Sequence, residues 1–212
     1  MSAKQQRKRA TTTESRERST REGVADTAIA SPWSKLRDRE QERKVKRDAV
    51  LRTAGRLFTE KGFHATSLDE VAERLHVTKP TLYYYVKNKD EILFECVRIS
   101  LEMLHADVAA AAASGAKPLD KLEAAMRSYV HIVTEDFGLC VIRVGEDPLP
   151  PASRKKLRAL KAQIDIEFRG VIEEAIADGS IAPCDAKMAA FAIGGALSWI
   201  RRWYEVDGPY TP

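Results

Sequence analysis

The chain has little of what metal proteins and most enzymes need. Its three cysteines, Cys96, Cys140 and Cys184, are widely spaced and form neither a CxxC pair nor a cluster with histidine. This pattern predicts no disulfide framework and no metal site, and it suits a reducing cytoplasm. The sequence also lacks a glycine-rich phosphate loop and a nucleophile elbow, so we predict neither a catalytic residue nor a cofactor.

Long apolar runs are absent as well. No run approaches the ~20 apolar residues that a membrane-spanning helix requires. The N-terminus has no apolar segment of the kind found in secretory signals. We therefore expect no membrane partner.

Charge is unevenly distributed along the 212 residues. Residues 1–47 contain 14 Lys and Arg against 7 Asp and Glu, a net charge of +7, so the remainder sums to −3 of the total +4. Residues 1–42 are polar and show almost no apolar periodicity, apart from Trp33 and Leu36. This composition predicts a basic, mostly disordered arm that adds salt-sensitive affinity for nucleic acid.

From about residue 43 the apolar residues recur at three- and four-residue steps, which predicts helices. The pattern indicates an all-α fold of about nine helices: a small three-helix unit over 43–88, then a larger bundle over 89–212. The run at 137–145, FGLCVIRVG, is consistent with either a buried helix or a strand. We expect the last two long helices over about 153–178 and 185–206.

The most informative segment is 66–93, TSLDEVAERLHVTKPTLYYYVKNKDEIL. Ser67 and Glu70 have the spacing of a capping box, and Thr78 followed by Pro80 has the pattern of a second helix start. The short helix that follows carries an ammonium, hydroxyls and three consecutive tyrosines. Such groups suit contacts with phosphates and base edges, so double-stranded DNA is the first partner to consider.

These residues resemble the TetR family of bacterial transcriptional regulators. The resemblance rests on the KGF turn, the TS cap and the TLYYYVKNK run, and it covers about 45 residues. It implies that the second short helix enters the major groove. Base edges would then be faced by Lys79, Pro80, Thr81 and Tyr84. Phosphates would be contacted by Thr66, Ser67, Tyr83, Tyr85 and Lys89. Thr78, which caps the start of this helix, belongs to the same DNA-binding set.

Two residues depart from the family pattern. His76 stands where the family usually has glycine, at a turn position that favours a positive φ. Asp69 stands where some members have a basic residue, and its carboxylate would repel phosphate or accept a hydrogen bond from cytosine.

The C-terminal half resembles, more distantly, family members that respond to acyl-CoA thioesters. This resemblance implies a small-molecule pocket in the bundle, the candidate lining residues being His105, Met126, Tyr129, Arg143, Phe168, Trp199, Arg202 and Trp203. Apolar stripes on the last two long helices, with Gly194 and Gly195, are consistent with an intrachain core or with a homodimer interface. The family favours the dimer.

We therefore hypothesise a ligand-responsive regulator, a repressor in its simplest form, which acts in the bacterial cytoplasm at the nucleoid. It would bind a palindromic operator as a homodimer and be released by an effector such as an acyl-CoA or a related catabolic intermediate. The alternatives are an architectural DNA-binding protein without an effector, and an enzyme.

Overall fold

The computed structural model describes residues 32–203 and 208–209, with only the backbone at 32–38 and at residue 201, and every regular element among them is helical. This confirms the all-α prediction. Eight α-helices and a short 3-10 helix, Ile200–Arg202, make up the described part. The α-helices are α1 Pro32–Lys61, α2 Leu68–Arg74, α3 Lys79–Tyr85, α4 Lys89–Ala113, α5 Pro118–Thr134, α6 Asp136–Arg143, α7 Pro151–Ala177 and α8 Ala186–Trp199.

The first helix starts earlier than the pattern predicts. It begins at Pro32, in a position that suits proline because the first amides of a helix have no partner there. Residues 39–46 are all exposed, so no apolar stripe marks this part of the helix. The predicted arm therefore includes helical residues from 32 onwards. Residues 1–31 and the side chains of Trp33 and Leu36 lie outside the described part.

One continuous core joins α1, α2, α3 and the first half of α4. Leu57 and Phe58 of α1 pack with Val71 of α2, Leu82 of α3 and Leu93 of α4, and all five side chains are buried. Burying apolar surface contributes ~25 cal/mol per Å², so this packing is the main source of stability for the two short helices, α2 and α3. The core therefore fixes how α3 is presented to solvent.

The turns of this unit follow the sequence closely. Ser67 accepts a hydrogen bond from the Glu70 amide at 3.1 Å. The Glu70 carboxylate does not reach back as a full capping box would, because it binds Lys61 instead. His76 has φ 55°, which confirms the predicted left-handed turn.

The larger bundle is built around α4, which packs against α5, α6 and α7, while α8 packs on α7. The ambiguous apolar run forms a helix, α6, which begins immediately after α5 ends at Thr134. A Cβ at Gly138 would lie 1.8 Å from the carbonyl oxygen of Ile132, so this close approach of α6 to α5 requires glycine. The last helix ends at Trp199, earlier than predicted, and a 3-10 turn follows.

Candidate DNA-binding surface and effector cavity

The short helix α3 presents most of its polar side chains to solvent. Leu82 is completely buried, whereas Tyr83 and Tyr84 are 47% and 65% exposed. Thr78 caps the helix by accepting from the Thr81 amide at 3.4 Å. Because three consecutive residues of a helix point about 100° apart, burial of Leu82 directs the next two tyrosines outward.

Lys79 of α3 is bound to Asp69 of α2. Its ammonium lies 2.7 Å from one Asp69 carboxylate oxygen and 3.0 Å from the other. The hydrogen bond to Asp69 and the negative charge of that carboxylate raise the pKa of Lys79. Both side chains are more than half exposed, so the pair links two helices across the face on which DNA would lie. A base contact by Lys79 would have to replace or share this carboxylate.

Two predicted phosphate contacts are occupied within the protein. Thr66 is 1% exposed, and its hydroxyl donates to the carbonyl oxygens of Gly62 at 2.9 Å and Leu57 at 3.3 Å. Lys89 donates to the carbonyl oxygens of Phe63 at 3.0 Å and Thr66 at 2.7 Å. These contacts give both side chains a structural role. They supply hydrogen bonds to backbone carbonyl oxygens at the end of α1 and in the α1–α2 loop, where helical partners are lacking.

Tyr85 also differs from its neighbours, because its ring is half-buried and packs against the core. The predicted residues that remain accessible are Ser67, Thr78, Lys79, Pro80, Thr81, Tyr83 and Tyr84. They form one surface at the start of α2 and along α3, which we call the recognition surface.

The structure adds two residues to this surface. The guanidinium of Arg43 in α1 lies 5.4 Å from the centre of the Tyr84 ring. His64 lines a shallow groove together with Ser67, Lys79 and Tyr83. Arg43 belongs to the basic stretch RKVKR at 43–47, which the sequence displays, but only the packing of α1 shows that it adjoins α3.

A cavity of about 420 Å³ lies within the bundle, in the size range of small-molecule sites. Five helices contribute to it. Its walls are mostly apolar, and its charged lining residues are Lys161 and Asp165. Tyr129 and Ser198 join across it through their hydroxyls at 2.7 Å. The other lining residues include Leu101, Leu104, Val108, Ala125, Val141, Ile142, Ile164, Phe168, Ala190, Phe191, Gly194, Gly195 and Leu197.

Of the eight predicted pocket residues, Tyr129 and Phe168 line this cavity. Met126 lines a second depression, which is formed by α5 and by Leu197 of α8. The other five, His105, Arg143, Trp199, Arg202 and Trp203, lie elsewhere. His105 is paired with Glu167 at 3.0 Å, Arg143 is exposed, and Trp199 and Trp203 are largely exposed.

The predicted arginine and tryptophans at the C-terminal end of the bundle do not line this cavity. Helix α8 gives way to a 3-10 turn at Ile200, and the Arg202 guanidinium lies 4.9 Å from the Trp199 ring centre. The residues that the sequence suggested for an anion therefore stay outside the cavity, and 204–207 lie outside the described part.

Polar contacts tie the three-helix unit to the bundle. Arg56 of α1 binds both carboxylate oxygens of Asp136, the first residue of α6, at 2.9 and 2.8 Å. The hydrogen bond to Asp136 and the charge of that carboxylate raise the pKa of Arg56. The guanidinium of Arg52 lies 4.7 Å from the Phe137 ring centre. Helix α6 is thus connected both to the cavity, through Val141, and to α1.

Within the described residues, no helix is long and apolar enough to cross a membrane. The same part of the chain holds no group of three or more histidine, cysteine or acidic residues placed to bind a metal ion. Cys96 and Cys140 are buried, and Cys184 is exposed.

Comparison with known proteins agrees with this geometry. Residues 50–96 match the model of bacterial regulatory proteins of the tetR family, and residues 115–212 match the tetracyclin repressor-like C-terminal domain. The HTH-type transcriptional repressor KstR2 of Mycolicibacterium smegmatis is 23% identical over 176 residues, which cover 78% of this chain and 82% of that protein.

Solved structures give the same result. The TetR family transcriptional regulator PfmR from Thermus thermophilus is 29% identical with a TM-score of 0.69, covering 76% of this chain and 88% of that one. AibR in complex with isovaleryl coenzyme A and operator DNA is 27% identical with a TM-score of 0.70, covering 78% and 90%. The chain therefore belongs to the TetR family of transcriptional regulators, which bind DNA and are not enzymes.

Proposed function

We propose that this protein is a repressor that binds a palindromic operator as a homodimer and is released by a small-molecule effector, an acyl-CoA thioester or a related catabolic intermediate. The observation that carries the proposal is the apolar cavity of about 420 Å³ beside α4. The start of that helix packs in the core of the three-helix unit through Leu93, and its later residues Leu101 and Leu104 line the cavity. A ligand in the cavity would therefore contact a helix that packs directly against the DNA-binding unit. We assign residues 43–88 to DNA binding and 89–212 to effector binding and dimerisation.

The proposed DNA contacts divide by chemistry. Lys79 can donate to guanine O6 or N7, and the Thr81 methyl suits thymine. The Tyr83 hydroxyl suits a phosphate oxygen, which would position α3 without reading sequence. In a dimer the two α3 helices would enter major grooves about one helical turn apart, roughly 34–36 Å.

Exposed apolar side chains on the last two helices support the dimer. Ile166 on α7 and Met188 and Trp199 on α8 are each more than half exposed. On α8 the exposed residues Met188, Ala192, Gly195 and Trp199 recur at three- and four-residue steps and so share one face. A self-association of this kind buries about 800 Å² per subunit in a standard interface.

Dimerisation is tested by Ile166→Asp combined with Met188→Asp, in sedimentation equilibrium. We expect the variant to be a monomer and to lose operator affinity. Met103 of α4 is 48% exposed, so Met103→Asp is the matched control and should leave the dimer intact. A dimeric double variant would place the interface elsewhere.

Release requires that the effector prefer one conformation of the protein. A ligand that fills the cavity would shift α4 and α6 relative to α1, changing the separation of the two α3 helices. A coupling of ~1–3 kcal/mol lowers operator affinity by roughly 5–150-fold. An architectural DNA-binding protein has no need for such a cavity, which is why the repressor is preferred.

The deciding experiment is fluorescence anisotropy with a duplex from upstream of the protein's own gene and a scrambled duplex of equal length, with and without octanoyl-CoA. We expect tighter binding to the upstream duplex and at least a roughly fivefold loss with octanoyl-CoA. Equal affinity for both duplexes at moderate salt would contradict the repressor.

A cavity-filling variant tests the response to the effector separately from DNA binding. Leu104 is buried and lines the cavity, whereas its neighbour Met103 is exposed on the same helix. We expect Leu104→Trp to keep operator binding and lose the response to octanoyl-CoA, and Met103→Trp to keep both. A full response in a folded Leu104→Trp protein would show that the effector binds elsewhere.

A further inference from the structure

The start of α7 carries a group of basic residues whose role the cavity alone does not explain. Arg154, Lys155 and Arg158 line a small cleft with Pro151 at the N-terminal end of this helix. Lys161 follows one turn later and lines the cavity. In the described part of the chain, neither Arg154 nor Lys155 has an acidic partner.

One carboxylate lies between the cleft and the cavity. Glu146, in the segment between α6 and α7, has a side chain that is only 11% exposed. It accepts a hydrogen bond from Arg158 at 2.7 Å and from Lys161 at 2.6 Å. Burial raises the pKa of Glu146, but the hydrogen bonds from Lys161 and Arg158 outweigh it, so the pKa lies below its ordinary value and the group stays ionised.

We propose that this cleft is a binding site for the phosphate groups of the effector, and that Glu146 is an internal carboxylate which those phosphates displace from Arg158 and Lys161. The site rests on the proposed function, because it extends the effector cavity to a second, anionic half of the same ligand. Guanidinium groups bind phosphate through paired hydrogen bonds, so Arg154 and Arg158 suit it well.

The spacing selects a class of ligand. From Lys161 to Arg154 the helix rises about 10 Å, at roughly 1.5 Å per residue. A ligand that uses both parts has an apolar group in the cavity and phosphates roughly this far beyond Lys161. An acyl chain joined by a flexible linker to a nucleotide diphosphate, as in an acyl-CoA, satisfies this arrangement. A free fatty acid places its single carboxylate near Lys161 and leaves the cleft empty.

Displacement of Glu146 would also reach the DNA-binding unit. Glu146 lies three residues beyond the last residue of α6, Arg143. The first residue of the same helix, Asp136, holds Arg56 of α1 through two hydrogen bonds. Replacement of Glu146 by a phosphate therefore releases the segment after α6 from Arg158 and Lys161, while the other end of α6 is bonded to α1.

The test measures binding of octanoyl-CoA, CoA alone and octanoate to the full chain by isothermal titration calorimetry. The main variant is Arg154→Ala with Lys155→Ala, and the control is Lys156→Ala, an exposed neighbour that does not line the cleft. We expect the double variant to bind octanoyl-CoA and CoA with an affinity lower on the order of tenfold. Octanoate binding and operator affinity should stay unchanged, and Lys156→Ala should match the wild type.

Glu146→Gln gives an independent readout. It removes the competing charge but keeps the shape, so octanoyl-CoA should bind more tightly than to wild type, while octanoate gains less. The circular dichroism melt shows whether each variant is folded. Weaker octanoyl-CoA binding by a folded Glu146→Gln protein would overturn the displacement step.

The outcomes separate this site from the proposed function. Wild-type affinity of the double variant for octanoyl-CoA would overturn the site and leave the repressor intact. Loss of operator affinity with unchanged octanoyl-CoA binding would overturn it too, and would assign these cations to DNA phosphates. Binding of none of the three ligands by a wild type that still recognises its operator would overturn both the site and the acyl-CoA effector, and leave the DNA-binding role standing.

Discussion

The recognition surface and the effector cavity differ in how many parts of the chain build them. The first lies along the seven-residue helix α3 and at the start of α2, with Arg43 and His64 beside it. The second is lined by residues from five helices, between Leu101 and Ser198. A surface made mainly by residues that are close together in the chain depends on local caps and one buried anchor, whereas a cavity depends on how distant helices pack. Substitutions should therefore act locally in the first region and through packing in the second.

The largest effect is expected at Gly138, where an added Cβ would collide with backbone atoms of α5. A Cβ there would lie 1.8 Å from the Ile132 carbonyl oxygen. Gly138→Ala should lower the free energy of unfolding by about 3 kcal/mol, because α6 must move away from α5. Urea denaturation measures this, with Gly115→Ala as the control, since no atom lies within 4 Å of a Cβ there. Equal stability of the two variants would show that the α5–α6 junction relaxes freely.

Lys89 tests whether a residue predicted to bind DNA has a structural role instead. Lys89→Ala removes the donor for the Phe63 and Thr66 carbonyl oxygens. We expect the free energy of unfolding to fall by about 2 kcal/mol, as for other hydrogen bonds from a charged group. Lys87→Ala, an exposed neighbour, should have little effect. If Lys89→Ala has unchanged stability but binds every duplex more weakly, the result would support the predicted contact between Lys89 and a DNA phosphate.

Lys79 probes sequence reading on the recognition surface. Lys79→Ala should cost about 2 kcal/mol on the cognate operator and much less on scrambled DNA, if the ammonium binds a base. Anisotropy titrations at fixed salt measure both. Asp69→Asn frees Lys79 from its carboxylate and should tighten binding to scrambled DNA. An equal loss on both duplexes with Lys79→Ala would assign the lysine to the backbone.

Tyr83 probes phosphate binding without sequence reading. Tyr83→Phe should weaken binding to cognate and scrambled duplexes alike, by about 1 kcal/mol, because it removes one hydrogen bond. Tyr85→Phe provides the comparison: its ring is half-buried against the core, so the loss should be smaller. If Tyr85→Phe has the larger effect, the roles of the two tyrosines are reversed.

Arg56 connects α1 with α6, and its substitution should change stability least. Its pair with Asp136 is exposed on the arginine side, and such pairs contribute less than about 1 kcal/mol. Arg56→Ala should therefore melt close to wild type, yet octanoyl-CoA should reduce operator affinity less than before. Arg127→Ala breaks an exposed pair within α5 and is the control. If octanoyl-CoA lowers the operator affinity of Arg56→Ala as much as that of the wild type, the coupling depends on α4 and not on the contact between Arg56 and Asp136.

The sequence predicted the local geometry of α2 and α3 well because its determinants are close together in the chain. Ser67 and Thr78 cap their helices from three residues away, and His76 takes the left-handed conformation that its turn requires. The family models confirm the regulator that these residues suggested. The cavity was predicted only in part, since Tyr129 and Phe168 line it and the predicted His105 and Trp199 do not.

What the sequence determined by itself was the helical pattern, the caps and the exposed side of α3, because propensity, capping and periodicity act over a few residues. Tertiary structure decided which side chains remain free. Thr66 and Lys89 look available in the sequence but are bonded across the loop, and Arg56 meets a carboxylate 80 residues away. Partners at such distances are chosen by helix packing, which a local pattern does not encode. The same packing brings Glu146 between Arg158 and Lys161, and so places a carboxylate between an apolar cavity and a basic cleft.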